Sequence, residues 1–464
     1  MATNETNRPV ETHGDSRPWW RLLTRYHWFV LSVAALGWLF DTMDQQLFNI
    51  ARRPAIQKLL EPSPGVSPNG ETVTAYSGYA TSIFLIGWGT GGIIFGILGD
   101  LIGRVRSMIV TILLYSLFTG LSAISIGFWD FAAYRFLTGL GVGGEFAVGV
   151  SLVAEVMPER ARPFALGLLQ ALSAVGNITA AVSSIILAHL ARAGITGESW
   201  RLMFLIGTVP AFLTIFIFRR LKEPERWRAI AAAQSIRERL GAYFTELFQN
   251  PRWARNAVVG LILASSGIIG LWAIGFFSID LQRSIFAKEV KNLPLSEADK
   301  TFYVDNWAGW TSVTLNVGAC LGIFAFSFVT HHIGRRLAFA ISFILAMVST
   351  AWVFWKFKTT VDIFWMIPIM GFCQLALFGG YAIYFPELFP TRLRSTGTSF
   401  CYNGARYVAA LGPTALGLLT SRVFKDQAEP LRYAGITMCA VFIVGLLILP
   451  FAPETRGQPL PESD

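Results

Sequence analysis

Charged side chains are scarce in this sequence. Only 14% of its 464 residues are Asp, Glu, Lys or Arg, against roughly 25% in soluble domains, and a water-facing surface cannot be built from so little charge. Disorder and coiled coil are excluded by the same shortage. Cysteine is rare too. Cys320, Cys373, Cys401 and Cys439 all lie inside apolar stretches, which excludes a disulfide scaffold and leaves no metal-ligand spacing. None of the five histidines sits inside an apolar run beside a partner acid, so no nucleophile or metal constellation for an intramembrane enzyme is present. A Gly-rich loop followed by Lys is also missing, which disfavours a P-loop ATPase.

Apolar and aromatic residues are abundant: 53% hydrophobic, 43 Gly and 15 Trp. Apolar runs long enough for a membrane helix, roughly 20 residues, occur near 28–50, 75–98, 107–127, 131–156, 164–190 and 201–218, then near 256–279, 307–329, 337–355, 362–385, 396–420 and 433–451. The expectation is an all-α, multi-pass membrane protein of about twelve helices in two six-helix halves, 27–218 and 256–451. The tails, 1–26 and 452–464, flank them, and a basic central loop, 219–255, joins them. That loop carries Arg219, Arg220, Lys222, Arg226, Arg228, Arg237 and Arg239 and reads as surface helices. The N-terminus is polar through Pro18 without a cleavable signal pattern, so the first apolar helix is expected to stay as a span.

The net charge of +9 is spread over short loops, not one patch, so nucleic acid is not an expected partner. The pairs Arg104/Arg106, Arg160/Arg162, Arg335/Arg336 and Arg392/Arg394 fall on the same side as the central loop, which places both termini in the cytoplasm by the positive-inside rule. The compact length points to a bacterial inner membrane.

The chain repeats itself. Glu155-Val-Met-Pro158-Glu-Arg-Ala-Arg162 shares the spacing E-x-x-P-x-x-x-R with Glu387-Leu-Phe-Pro390-Thr-Arg-Leu-Arg394, and Glu387 follows Glu155 by 232 positions. Gly103-Arg104 recurs as Gly334-Arg335, 231 positions on. Pro224-Glu225 after the sixth run is echoed by Pro453-Glu454 after the twelfth. Such internal duplication is the architecture of secondary transporters, with a substrate site near midplane between the halves.

With these motifs in view the sequence resembles the major facilitator superfamily over essentially its whole length. Gly96-Ile-Leu-Gly-Asp100-Leu-Ile-Gly103-Arg104-Val-Arg106 matches the family's loop between spans two and three, departing from it at Leu101. Arg135-Phe-Leu-Thr-Gly139-Leu-Gly-Val-Gly143 matches its fourth-span motif, and Pro453-Glu454-Thr455-Arg456-Gly457 the C-terminal tag of sugar porters. Within the superfamily, Asp41-Thr-Met-Asp44, Gly144-Glu145 and Gly404-Ala-Arg406 resemble the metabolite–proton symporters of aromatic-acid and sialic-acid type and their organic-ion relatives. The paired span-seven glutamines of sugar porters are absent from Ala257–Asp280.

Ionisable groups inside spans are costly and functional by default. Asp41 and Asp44, three apart, face one side of a helix, and two carboxylates in a low-dielectric site are not both ionised cheaply, the property a proton carrier needs. Arg135 is the partner that favours the ionised form. The resemblance implies an Asp44–Arg135 pair that breaks on protonation; a permanent structural pair is the alternative. Asp41 reads equally as a second proton site or a helix-terminus acceptor. Glu145 lies about 80° around the helix from Arg135, facing the cavity or satisfying a kink among Gly141, Gly143 and Gly144. The run Gly139, Gly141, Gly143, Gly144 reads as a helix-packing surface rather than a phosphate cradle.

Arg406, near midplane of span eleven, has the fork for a substrate carboxylate; an ion pair with Asp41 or Glu145 is the competing reading. Gln170 and Asn177, seven apart on one face, match sugar-hydroxyl positions of sugar porters, and Asn403, Gln374 and Tyr381 are further cavity candidates. Trp38, Trp88, Trp272, Trp310 and Tyr402 line the cavity or, the commoner case, face lipid or core. By resemblance, Asp100, Arg104, Arg106, Glu155, Arg162, Arg335, Glu387 and Arg394 form ion pairs that close the cytoplasmic side; topology charge is the plainer alternative, and for the arginines the two readings are compatible.

The expected function is proton-coupled symport of a small organic acid by alternating access, with a proton-coupled carrier or uniporter of sugars or polyols as the alternative within transport. A sensor on the same scaffold would normally add a large soluble tail, and only Pro453 to Asp464 follows the last span. The expected partners are a small organic anion or sugar, a proton and the bilayer. No cofactor or metal is expected, and the chain reads as a non-enzymatic monomer.

Overall fold

The apolar runs fold as helices, and no strand forms among the described residues. The computed structural model describes residues 18–61, 70–192, 199–212, 214, 217, 220–225, 227–229, 243–412, 415–416, 419–424, 426–427 and 429–461. The tail up to residue 17 and Arg219, Arg226, Arg237 and Arg239 of the central stretch lie outside them.

The first half comprises α1 (Arg25–Leu60), α2 (Gly70–Ile102), α3 (Arg104–Ser122), α4 (Phe128–Val156), α5 (Arg162–Arg192) and α6 (Ser199–Ile206). Short α7 (Tyr243–Gln249) precedes the second half: α8 (Pro251–Ile269), α9 (Phe276–Val290), α10 (Glu297–Ile333), α11 (Arg335–Lys356), α12 (Met366–Glu387), α13 (Arg394–Ala409), α14 (Pro430–Met438) and α15 (Val441–Ile448). Several runs are less regular than their apolarity predicts, the twelfth being divided between α14 and α15. α6 gives way to a 3-10 turn over Val209–Phe212, where Pro210 has no N–H to continue an α ladder. A wider π turn, Gly270–Gly275, separates α8 from α9.

Nine helical stretches among the described residues are long and apolar enough to cross a bilayer. α1 is also long, but Asp41, Asp44, Gln45 and Gln46 interrupt its apolar run. Leu117, Ile124, Leu321, Val348 and Leu447 are exposed on the flanks, as apolar side chains facing lipid are.

The duplication is visible in matching contacts at a nearly constant offset. In the middle, Gly87 and Gly91 of α2 let that helix touch the Phe136 and Leu140 carbonyls of α4, and Gly318 and Gly322 of α10 do the same against Pro368 and Phe372 of α12. Close approach of this kind is what small residues give membrane helices. The Gly139–Gly144 run serves it from both sides: Gly139 and Gly143 meet α2, Gly141 meets α3, and Gly144 meets Phe95 of α2 and Thr111 of α3.

At the end carrying the Gly-Arg links, Gly103 and Gly334 take φ of 114° and 90°, a region that disfavours side chains, and start α3 and α11. The Arg104 N–H donates to Glu223 at 2.8 Å and the Arg335 N–H to Glu454 at 2.9 Å. This corrects the sequence match of Pro224-Glu225 with Pro453-Glu454: the counterpart of Glu454 is Glu223, and Glu225 makes an exposed pair with Arg228. At the opposite end Arg201 donates to the Ala123 and Ser125 carbonyls, and Arg432 to those of Phe354 and Phe357. Asp130 and Asp362 each accept from two backbone N–H groups just ahead of their helical turns. Both ends of the bundle are thus built twice from the same parts.

Candidate functional site

The centre is where the halves differ. α1 presents Asp41 and Asp44 to the interior, both fully buried. The Asp44 carboxylate accepts from the Thr119 hydroxyl of α3 at 2.7 Å through Oδ1, and its Oδ2 stands 3.8 Å from the Arg135 guanidinium of α4. At that separation Oδ2 and the facing Arg135 nitrogen have no hydrogen-bond partner. The other Arg135 donors go elsewhere: Nε and a terminal nitrogen to the Ser122 hydroxyl at 3.1 and 2.8 Å, and that terminal nitrogen also to Thr138 at 3.0 Å. Phe204, Phe48 and Phe131 surround the guanidinium, its carbon 4.8, 5.6 and 5.9 Å from their ring centres. The structure therefore brings Asp44 and Arg135 together as an ion pair, and a loose one.

Asp41 sits one turn back, accepting from Gln45 at 3.3 Å with its other oxygen unpartnered. It lies within electrostatic reach of Glu145, Asp44 and Arg406. Glu145 accepts from Thr111 of α3 at 2.9 Å, and its second oxygen, also unpartnered, rests against Gly37 of α1. Gly37 leaves room there that a Cβ would fill.

Arg406 of α13 is 2% exposed and has no carboxylate within ion-pair distance among the described residues. The alternative of a direct pair with Asp41 or Glu145 is not what forms. Its guanidinium instead lies against two rings, 3.7 Å from the Trp88 centre and 4.4 Å from that of Tyr402. One terminal nitrogen donates to the Tyr402 carbonyl and to Asn403 Oδ1, while Nε is unpartnered. Tyr402 stacks on Phe146 at 3.9 Å, Phe146 meets Trp38 at 4.9 Å, and Trp272 meets Trp88 edge-on. Trp38, Trp88 and Tyr402 are thus interior, whereas Trp310 is exposed on the flank.

The amide candidates scatter. Gln170 is buried with its carbonyl oxygen unpartnered. Asn177 of α5 donates across the halves to Asn316 of α10 at 2.9 Å, and Gln46 of α1 donates to Ser312 of the same helix. Asn403 gives its amide to the Gly143 carbonyl, so it fastens α13 to α4 as well as holding Arg406. Tyr381 donates its hydroxyl to the Leu263 carbonyl and Gln374 its amide to Thr350, both within the second half.

The Gly-Arg end joins the halves. Glu155 accepts from Arg104 of its own half at 2.9 Å and from Arg394 of the other at 3.0 Å, all three side chains fully buried. Asp100 pairs with Arg104 at 2.8 Å and accepts from the Thr396 N–H and hydroxyl at the start of α13, at 2.8 and 2.7 Å. The equivalent Glu387 stays within its half, bonded to Arg335 at 2.7 Å and to Thr455. Arg162 gives Nε to the Ala154 carbonyl of its own half, and Arg106 contributes its backbone N–H to Glu223 while its side chain is exposed. Burial pushes Glu223 up from the ordinary carboxylate range against three backbone donors. At Glu454 burial works in the same direction, but the N–H groups of Arg335, Arg336 and Arg456 outweigh it and hold the carboxyl low.

Sequence reasoning missed Thr111, Thr119, Ser122 and Thr138, because a hydroxyl in a membrane helix usually bonds its own backbone. It also missed Ser312 and Asn316, whose i, i+4 spacing on an otherwise apolar helix was the available signal.

A family model described as "Sugar (and other) transporter" matches residues 30–241. A Haemophilus influenzae protein assigned to metabolite transport is 29% identical, covering 94% of this chain and 98% of its own length. The cis,cis-muconate transport protein of Acinetobacter baylyi is 27% identical over 83% of this chain and 87% of its own. Among solved structures, the major facilitator superfamily proton:xylose symporter XylE, bound to 6-bromo-6-deoxy-D-glucose, superposes with a TM-score of 0.72 at 16% identity, covering 94% of this chain and 98% of that one.

Proposed function

Because the chain is a transporter of the major facilitator superfamily, we propose that it carries a small organic acid across the membrane in symport with a proton, by alternating access. The observation that carries this reading is Arg406: a buried guanidinium with an unpartnered Nε and, among the described residues, no carboxylate at ion-pair distance. A desolvated, uncompensated cation is costly, and a substrate carboxylate removes that cost through charge-assisted bonds. Relatives named for cis,cis-muconate and sialic acid support an acidic cargo.

In this reading Asp44 takes the proton. Protonation removes the charge that faces Arg135, and the loose pair separates. Asp41 and Glu145, each with one free oxygen, are the second acidic station between Asp44 and the substrate. Arg406 binds the carboxylate, and Asn403 holds the guanidinium in place. Gln170 and Asn177 offer polar contacts to the rest of the molecule, and Gln374 and Tyr381 support the second-half wall. Glu155, Arg104, Arg394 and Asp100 form the closed gate, while Arg335, Glu387, Arg162 and Arg106 brace it. The gate is the cytoplasmic end, with both termini and the 219–255 loop on that side of a bacterial inner membrane. The moving bodies are 27–218 and 256–451 of one monomer.

Gln170, with a buried free acceptor, favours a sugar or polyol as the second reading. The test is uptake into proteoliposomes of labelled benzoate, sialic acid and xylose, with and without an inward proton gradient. Gradient-driven uptake of an acid is the expected result, and Asp44→Asn should abolish accumulation while sparing counterflow exchange. Uptake of xylose alone would overturn the reading and leave Arg406 a structural role.

A further inference from the structure

Two features of the Asp44–Arg135 pair need a cause. Opposite charges buried in a low dielectric attract strongly, yet these stand 3.8 Å apart with the facing atoms Oδ2 and the Arg135 nitrogen both unpartnered. Nothing bulky is needed to separate them, because three hydroxyls do it. On the cationic side, Ser122 accepts from both Nε and a terminal nitrogen, and Thr138 from that same terminal nitrogen, which also reaches the Phe118 carbonyl at a longer 3.4 Å. On the anionic side, Thr119 donates to Oδ1 at 2.7 Å. Thr119 and Ser122 are three apart on α3, one helical turn, so a single face of α3 holds the carboxylate at one point and the guanidinium at the next.

We infer that Thr119, Ser122 and Thr138 are positioning residues that hold Asp44 and Arg135 apart, leaving an open seat between them for the coupling proton. The inference rests on the reading of Asp44 as the proton site. The titratable groups that face Asp44 are Asp41 on its own helix, Tyr115 on α3 and Arg135 on α4; the turn just after α6 meets it with Gly207, which carries no charge. Of these, Arg135 is the one whose approach the hydroxyls regulate. The two sides of the clasp act in opposite senses. Removing the Ser122 or Thr138 acceptor frees guanidinium donors to close on Asp44, which tightens the pair and favours the ionised carboxylate. Removing the Thr119 donor takes a hydrogen bond from the ionised carboxylate and favours the protonated one.

The experiment is an infrared pH titration of the purified full-length protein in nanodiscs, reading the protonated-carboxyl band that Asp44→Asn removes. Thr119→Val should move its midpoint up by about one pH unit, a tenfold gain in proton affinity, and Ser122→Ala and Thr138→Val should move it down by about as much. Thr119→Ser, which keeps the donor, should return the parent midpoint, separating loss of the bond from loss of fold. Shifts in one common direction, or no shift while the band remains sensitive to Asp44→Asn, would overturn the clasp and leave Asp44 as the proton site. A band that survives Asp44→Asn would overturn both.

Discussion

Arg406 lays its guanidinium over the indole of Trp88, 3.7 Å from carbon to ring centre. The contact fixes the plane of the guanidinium, and with it the direction in which its free Nε points, and the Tyr402 ring lies 4.4 Å away as a second aromatic neighbour. A lysine has neither the plane nor the fork. Arg406→Lys is therefore expected to weaken carboxylate binding about 10–100-fold, the range of one or two charge-assisted bonds, read as the benzoate concentration that half-saturates counterflow. Trp88→Leu should show a smaller loss of the same kind. Equal affinities in Arg406→Lys and the parent would remove Arg406 from the substrate site.

Glu155 is bonded to both halves and Glu387 to one. Glu155→Gln should loosen the gate end, and Glu387→Gln should leave the halves joined. The measurement is alkylation of a cysteine at Thr396, buried beside Asp100. Labelling should rise severalfold in Glu155→Gln and stay near the parent level in Glu387→Gln. Comparable labelling in both would show that Arg394–Glu155 is not what holds this end shut.

The helix crossings depend on absent side chains. A Cβ at Gly91 would run into the Leu140 carbonyl, and one at Gly322 into that of Phe372. Gly91→Ala and Gly322→Ala should each cost about 1–3 kcal/mol by overpacking, seen as lower melting temperatures in detergent. Because the two crossings are equivalent, the losses should be similar; a neutral substitution at either would mean that crossing is looser than drawn.

Glu454 gives a pH-dependent term outside the spans. Its carboxyl is held below the ordinary range by backbone donors that outweigh burial. A depressed acid stabilises the fold above its unfolded value and loses that contribution as pH falls through the folded one. The melting difference between the parent and Glu454→Gln should thus be present near pH 7 and fade as the pH falls through and below the ordinary carboxylate range. A difference that does not change with pH would assign it to shape rather than charge.

Much of this was legible in the sequence because the informative residues stand out against an apolar background. Asp44, Arg135 and Arg406 are conspicuous inside spans, and the Glu155/Arg162 and Glu387/Arg394 spacings announce the duplication. The register of Glu223 was not legible, since Pro-Glu matched Pro-Glu by residue type while the backbone donors of Arg104 select the glutamate ahead of the proline. Trp88 was ambiguous because an aromatic in an apolar helix has the same pattern on a lipid face as on an interior one. The hydroxyls around Asp44 were invisible for a related reason: their partners lie on other helices, and spacing along one helix does not report them.

The uneven use of Glu155 and Glu387 also bears on how the halves are joined. The first-half glutamate locks onto the neighbouring half, and its twin does not, so one side of the seam is bolted by charge where α2 and α4 meet α13. The other side, α5 against α10, touches at Gly167 and Ser327 and carries the amide contact of Asn177 with Asn316. The seam of this duplicated protein is therefore fastened unequally, by buried ion pairs along α13 and by an amide contact and close packing along α5 and α10.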